Sequence, residues 1–239
     1  MDLHEITEAF IEHLKILRFA RPISIVYNPL LYARKPYNRY LERFGRGRRE
    51  IVLVGMNPGP FGMAQTGVPF GDVVMVRDWM GIEELVEKPA LEHPKRPIEG
   101  FSCKRREVSG TRLWSWARDR FGPPEAFFSR FFVLNYCPLC FLEPSGRNLT
   151  PDKLPARERQ ALFTACDYAL LGTIGYLQPR YVVGIGRFAA MRVRAASGHL
   201  DIVCGQMPHP SPANPEANSP QASWSQGAEA ALARIGITF

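Results

Sequence analysis

The chain lacks any apolar run of bilayer-spanning length, any internal repeat and any low-complexity tract. A membrane helix needs about 20 consecutive apolar residues, so no helical span and no membrane partner are expected. Cysteine is sparse: the five residues, at positions 103, 137, 140, 166 and 204, form no disulfide framework. Cys137-Pro-Leu-Cys140 has metal-ligand spacing, but a zinc or iron–sulfur site needs a second close pair, and the chain has none. Neither a metal nor a cofactor is therefore expected. A secretory leader is not expected either, because Glu5, Glu8 and Glu12 interrupt the first apolar stretch; the setting expected is the cytoplasm of a bacterium or the nucleus of a eukaryote. Acidic residues are in deficit, 23 against 30 Lys and Arg, for a formal net charge of +7. That balance favours an anionic partner, most often nucleic acid.

What is present suits one domain spanning residues 1–239, with 46% hydrophobic residues to fill a core. Leu3, Ile6, Phe10, Leu14 and Leu17 recur at helical spacing and predict a packed amphipathic helix. The segment from Arg34 to Glu50 is basic, with Tyr37, Tyr40 and Phe44 interleaved; a solvated face and a DNA contact both fit it. Strands are expected at Ile51–Val54, Phe131–Leu134, Tyr181–Ile185 and Ile202–Met207, where short β-branched or apolar runs stand between helical patterns. Helices are expected near Ile82–Val86, at Thr111–Phe121, at Phe188–Ala196 and at Ala228–Ile235. A longer one should open at an N-cap Thr150 with Pro151 in its first turn and run to about Leu177. Strand–helix alternation gives an α/β fold with a parallel sheet between helical layers.

The loop after the first strand organises the chain. Gly55 to Gly71 reads G-M-N-P-G-P-F-G-M-A-Q-T-G-V-P-F-G. Glycine and proline force tight turns and leave little bulk over whatever the loop faces, and ligands of open α/β sheets bind beyond the carboxyl ends of the strands. Three of the four strand ends carry polar groups: Asn57, Asn135 and His209.

This loop, taken with His209-Pro-Ser-Pro-Ala-Asn-Pro-Glu-Ala-Asn218, resembles the uracil-DNA glycosylase superfamily, and within it the single-strand-selective monofunctional branch. The resemblance extends through Glu107-Val-Ser-Gly110, Asn135-Tyr-Cys-Pro-Leu139 and Pro144-Ser-Gly-Arg-Asn-Leu-Thr-Pro151, and so covers most of the chain from about Ile51 onward. It implies a three-layer α/β/α sandwich around a four-stranded parallel sheet. It also implies monofunctional, base-excising hydrolysis of the N-glycosidic bond of uracil in DNA, without a cofactor, by a protein acting as a monomer.

The resemblance also assigns roles. His209 would donate a hydrogen bond to uracil O2 as negative charge grows there, a contribution realised in the transition state. Asn57 lies where other branches carry aspartate; an amide is not a base, so it would orient water. Asn135 can pair with N3–H and O4 of uracil and leaves cytosine mismatched. Phe70 would stack on the flipped base, and backbone amides near Met56 and Asn57 would approach O2. Apart from the resemblance, a helix start at Thr150 preceded by Ser145, Arg147 and Asn148 could hold a DNA backbone phosphate, although Asp152 in its first turn argues against it. Pro210, Ser211, Pro212, Ala213 and Asn214 would open a stiff wedge running to Asn218, with Ala213 standing where vertebrate members carry arginine. Gly59 replaces a tyrosine of uracil-only members, and so leaves room for ordered water beside C5 and for 5-hydroxymethyluracil or another oxidised pyrimidine, though not for thymine.

Two rivals remain at this point. A nucleotide-phosphate enzyme would use the glycine loop as a phosphate cradle, but the loop lacks the Gly-Lys-Ser/Thr ending. A non-catalytic DNA-binding module would have no need of Asn57, Asn135 and His209 together.

Overall fold

A computed structural model describes residues 1–214 and 223–239. Four strands, β2 (Ile51–Gly55), β3 (Phe131–Asn135), β6 (Tyr181–Ile185) and β7 (Val203–Met207), form a parallel sheet in the order β3-β2-β6-β7. Every residue of β2 and β6 is buried, as befits central parallel strands covered on both faces. The outer β7 exposes Val203 and Gln206 and buries Gly205 and Met207. Register is the feature that matters for function: Gly55 pairs with Asn135, and Ile185 with Met207. The strands therefore end level, and Asn57, Asn135 and His209 leave the same sheet edge.

Helices layer the sheet as the resemblance implies. The first, α1 (Leu3–Lys15), is opened by a capping box in which Asp2 and Glu5 exchange side-chain and backbone hydrogen bonds. Its buried Leu3, Ile6, Phe10 and Leu14 face α7 (Ala156–Leu177). In the basic segment, α3 (Arg34–Phe44) buries Tyr40 and Phe44, and the Tyr40 hydroxyl donates to the Val133 carbonyl at 2.8 Å. Helix α5 (Val108–Phe121) buries Leu113, Trp114 and Trp116. It packs on α6 (Pro124–Arg130) and α9 (Trp224–Ala233), while α8 (Arg187–Ser197) covers β2, β6 and β7. Among the described residues no helix is long and apolar enough to cross a membrane.

Two expectations fail, and one sheet is additional to them. No helix forms at 82–86: Glu83, Glu84 and Leu85 are exposed, while Ile82 and Val86 pack against different core clusters from a segment with no regular secondary structure. A π-helical turn over Met75–Trp79 precedes it instead, closed by Gly81 in the left-handed region. Thr150 does not cap the long helix: Pro151–Lys153 is a 3₁₀ turn without a side-chain cap, and α7 begins at Ala156. Pro155 is the cause, since it holds Leu154 in the extended region (ψ 152°) and stops a helix from running through it. Finally, a second sheet was not foreseen. Short antiparallel strands β1 (Ile25–Tyr27), β4 (Cys140–Leu142) and β5 (Asn148–Leu149) pair in the order β1-β4-β5.

Candidate active site

The level strand ends and the glycine loop enclose a cleft of about 230 Å³. It is lined by Met56, Asn57, Gly59, Phe70, Asn135 and His209, all of them singled out in the sequence, together with Asn148 and Ser211 from the proposed DNA-binding set. A larger cleft of about 520 Å³ lies between α5 and the start of α9. It holds none of the strand-end residues.

The loop is tied down from several directions. Gln65, buried on the short helix α4 (Met63–Thr66), donates to the carbonyls of Pro60 and Pro97 and accepts the amides of Glu99 and Gly100. Asp72 is fully buried and receives Arg106 through two hydrogen bonds, at 2.8 and 3.0 Å, and the amide of Glu107 at 3.1 Å. Between them, Phe70 adopts φ +53°, a conformation unusual for an aromatic residue. Its carbonyl is held there by the Trp114 indole N–H at 2.9 Å and the Asp72 amide at 2.8 Å. Helix α5 approaches so closely that a Cβ on Gly110 would overlap that carbonyl. Strain of this kind persists only where the surroundings over-determine it; here it turns the Phe70 ring into the cleft, with the His209 ring 6.2 Å away, centroid to centroid.

His209 follows β7, and its backbone is clamped on three sides. Pro208 O accepts the Trp224 indole, His209 O accepts the Asn214 amide, and Pro210 O accepts Arg112. Its Nδ1 accepts the Ser211 amide at 3.0 Å, so the neutral ring carries its proton on Nε2, the nitrogen available as a donor in the cleft. Burial lowers its pKa to about 4, and the ring is neutral at physiological pH. Asn57 anchors Nδ2 on Leu139 O at 3.2 Å, which leaves Oδ1 as its acceptor. Asn135 rests Nδ2 on the Met63 sulfur at 3.3 Å. The next residue, Tyr136, is held by Asp167 at 2.7 Å and Arg192 at 3.0 Å, which pins the end of β3.

Asn148 lies differently from its expectation. Carried inward by β5, it donates Nδ2 to Pro58 O at 2.9 Å and lines the cleft. Ser145 and Arg147 are not brought to the cleft. Arg147 forms a two-point ion pair with Glu143, at 2.8 and 2.9 Å, and the Ser145 hydroxyl accepts the Arg147 amide. With only a 3₁₀ turn following, the helix-terminal phosphate site expected there is absent. Ser211 lines the cleft, Pro210 is buried, and Pro212 and Ala213 are exposed; the rest of the expected wedge, 215–218, lies outside the described residues.

The sequence reading assigned no role to Glu107, which also lines the cleft. It caps α5 by accepting the Ser109 amide on Oε1 at 3.2 Å, and burial raises its carboxyl pKa. A Cβ built on Gly59 would sit 2.6 Å from its Oε2. The room expected beside Gly59 is thus occupied by a carboxyl oxygen.

A family model described as the uracil DNA glycosylase superfamily matches residues 43–228. The rat single-strand selective monofunctional uracil-DNA glycosylase is 48% identical over 223 residues, 92% of this chain and 79% of the relative. The bovine protein of that name is 46% identical over 228 residues, 95% of this chain and 83% of its own. Among solved structures, that of wild-type Pedobacter heparinus SMUG2 superimposes with a TM-score of 0.65 over 96% of both chains, and at 16% identity it speaks for the fold alone. The chain belongs to the uracil DNA glycosylase superfamily and, within it, to the single-strand selective monofunctional uracil-DNA glycosylases.

Proposed function

We propose that the protein excises uracil from DNA by hydrolysing the N-glycosidic bond, leaving an intact abasic strand as the first step of base-excision repair. The observation that carries this reading is the gathering of a neutral imidazole donor and two anchored carboxamides around an aromatic ring, in one cleft at a level sheet edge.

The flipped base stacks on Phe70. Asn135 supplies an acceptor for N3–H and a donor for O4, a pattern that cytosine reverses. His209 gives its Nε2 proton in a hydrogen bond to O2. As the bond to the sugar lengthens, charge grows on O2 and this bond strengthens, so the donor acts mainly on the transition state. Its preset tautomer and clamped backbone mean that little reorganisation accompanies the step. Asn57 Oδ1 accepts from the attacking water and orients it toward the sugar; it gains rate by position, not by proton abstraction. Among the described residues lining the cleft there is no lysine, so no amine is placed to form a Schiff base with the opened sugar.

The substrates proposed are uracil and polar C5-oxidised pyrimidines in single- or double-stranded DNA. The exposed Pro212 and Ala213 enter the stack at the extruded nucleotide. The protein acts as a monomer, in the bacterial cytoplasm or the eukaryotic nucleus. The test is release of uracil from a labelled single strand in chelator, scored before and after alkali. Strand scission before alkali, or trapping with borohydride, would overturn the monofunctional assignment. Failure to release uracil would overturn the activity.

A further inference from the structure

The cleft has a wall that none of the roles above uses. If Asn135 takes N3–H and O4 and His209 takes O2, the edge of the base still unpaired is C5–C6, which begins next to O4. The wall next to Asn135 can be traced through contacts. Its Nδ2 rests on Met63; Met63 follows Gly62; and a Cβ on Gly62 would sit 2.9 Å from Cγ and 3.3 Å from Oε2 of Glu107. From the other side, a Cβ on Gly59 would sit 2.6 Å from the same Oε2. Two glycines without side chains therefore frame a single carboxyl oxygen.

The two oxygens of Glu107 are not equivalent. Oε1 accepts the Ser109 amide at the start of α5, and the amide of Glu107 itself is held by the buried Asp72. The main-chain end of the residue is thus fixed by the Asp72 carboxylate and the side-chain end by the Ser109 amide, and Oε2 is the oxygen directed at the glycines. An oxygen held in this way is a hydrogen-bond acceptor with a defined position, set against a surface otherwise made of glycine backbone.

We propose that Glu107 is the specificity-determining residue for position 5 of the base: its Oε2 accepts a hydrogen bond from a C5 substituent that carries a donor and repels one that carries negative charge. The inference rests on the uracil-excising reading of the cleft and extends it to a residue and a rule. A hydroxymethyl group is matched by the carboxyl. A methyl group reaches the same oxygen and offers it nothing, which leaves a polar atom desolvated without a partner. A carboxyl at C5 meets a like charge across a short gap in a partly water-excluded site, where charge interactions are strong.

The experiment compares single-turnover release of uracil, 5-hydroxymethyluracil, thymine and 5-carboxyuracil from single strands by the wild type and three variants. Glu107→Asp keeps a carboxylate that can cap α5 but withdraws it by one methylene. Gly59→Ala keeps the Glu107 side chain but sets a Cβ 2.6 Å from where its Oε2 lies, which displaces the carboxyl. In both, the rate for 5-hydroxymethyluracil relative to uracil should fall about 10- to 100-fold, the loss expected for one hydrogen bond to a charged group. In Glu107→Gln the charge is removed at constant size, and release of 5-carboxyuracil should rise at least about tenfold over wild type. Equal proportional losses of uracil and 5-hydroxymethyluracil in Glu107→Asp and Gly59→Ala would overturn the proposal and assign the carboxyl to the sugar chemistry or to folding. So would wild-type release of 5-carboxyuracil at the rate of 5-hydroxymethyluracil. A wild type that releases uracil but obeys neither rule sinks this inference alone. A wild type that releases no uracil sinks the functional reading beneath it.

Discussion

The inner wall of the cleft, at the strand ends and in the loops that follow them, and its outer rim are held in opposite ways. On the wall, Phe70, Asn135 and His209 are fixed by groups from distant parts of the chain: Trp114 holds Phe70, Met63 touches Asn135, and Arg112 and Trp224 hold the backbone around His209. On the rim, among the described residues, the side chains of Arg147 and Ser145 bond within the segment 143–147, to Glu143 and to the Arg147 amide. Long-range support fixes a side chain to within the tolerance that catalysis needs. Local pairing leaves a side chain in place only until something better arrives, since exposed ion pairs contribute about 0–1 kcal/mol. The difference predicts where substitutions cut deepest.

The largest effect belongs to the wall. His209→Ala should slow single-turnover uracil release about 10²–10³-fold, the loss typical of one transition-state donor. An unaffected rate would remove His209 from the mechanism. The pH dependence sharpens the point. The folded pKa of about 4 lies below the ordinary value of 6.5, so the neutral donor persists as pH falls, and the rate should show no acid limb near 6.5. The same shift has a stability consequence of definite sign. Between about pH 6.5 and 4 the unfolded chain binds more protons at this site than the folded one, so stability contributed by the neutral ring is present above 6.5 and lost as pH falls through that window. Denaturation midpoints of wild type and His209→Ala should therefore converge on acidification.

This contrast also explains what could be read in advance. The central strands of the main sheet are legible because burial on both faces demands unbroken runs such as Ile51-Val-Leu-Val54, the outer two stand out as short runs between helical patterns, and the strand-end residues follow from them. The small sheet was not, because strands of two or three residues such as Asn148-Leu149 show no periodicity. Its absence from the reading is why Asn148 was assigned to the rim when β5 carries it into the cleft. Thr150-Pro151 has the right residues for a helix start, and the local rule fails only because Pro155 imposes a second, later one. Glu107 stands in one of the motifs that carry the resemblance but has no role there, for a related reason: α5 starts at Val108, three residues ahead of the predicted Thr111, so the sequence does not mark Glu107 as a cap. The Gly59 side of the cleft then looked empty, since nothing in the sequence says which distant side chain will fill a glycine's space.

A second, intermediate effect tests the wall's scaffold without touching the cleft. Asp72 is fully buried and serves Arg106, the Glu107 amide and the Met75 amide together. Asp72→Ala would leave buried donors unpaired, at about 1–3 kcal/mol, which for a chain of this size lowers Tm by about 2–4 °C per kcal/mol. A midpoint within the error of wild type would mean that the loop holds its shape without this hub.

The smallest effect separates two arginines that composition cannot tell apart. Arg147 is 70% exposed and already engages Glu143 through both of its forks. Arg105 instead lies over the Phe61 ring, 4.2 Å from its centroid, on the loop between the cleft residues Gly59 and Gly62. A DNA phosphate meets a cation at either residue, but at Arg147 it must compete with a carboxylate that takes Nε and Nη2. Each phosphate neutralised by a cation contributes about 0.7 to the slope of log K against log salt for single strands. Arg105→Ala should therefore flatten that slope by about 0.7, while Arg147→Ala should leave it nearly unchanged. Binding of a labelled single strand, titrated over a range of salt, reads both numbers. Removing Glu143 supplies the control: Glu143→Gln frees Arg147 and should steepen the slope toward one further contact. If Arg147→Ala instead flattens the slope as much as Arg105→Ala does, DNA displaces the Glu143 pair on binding, and the rim takes part in recognition despite its local pairing.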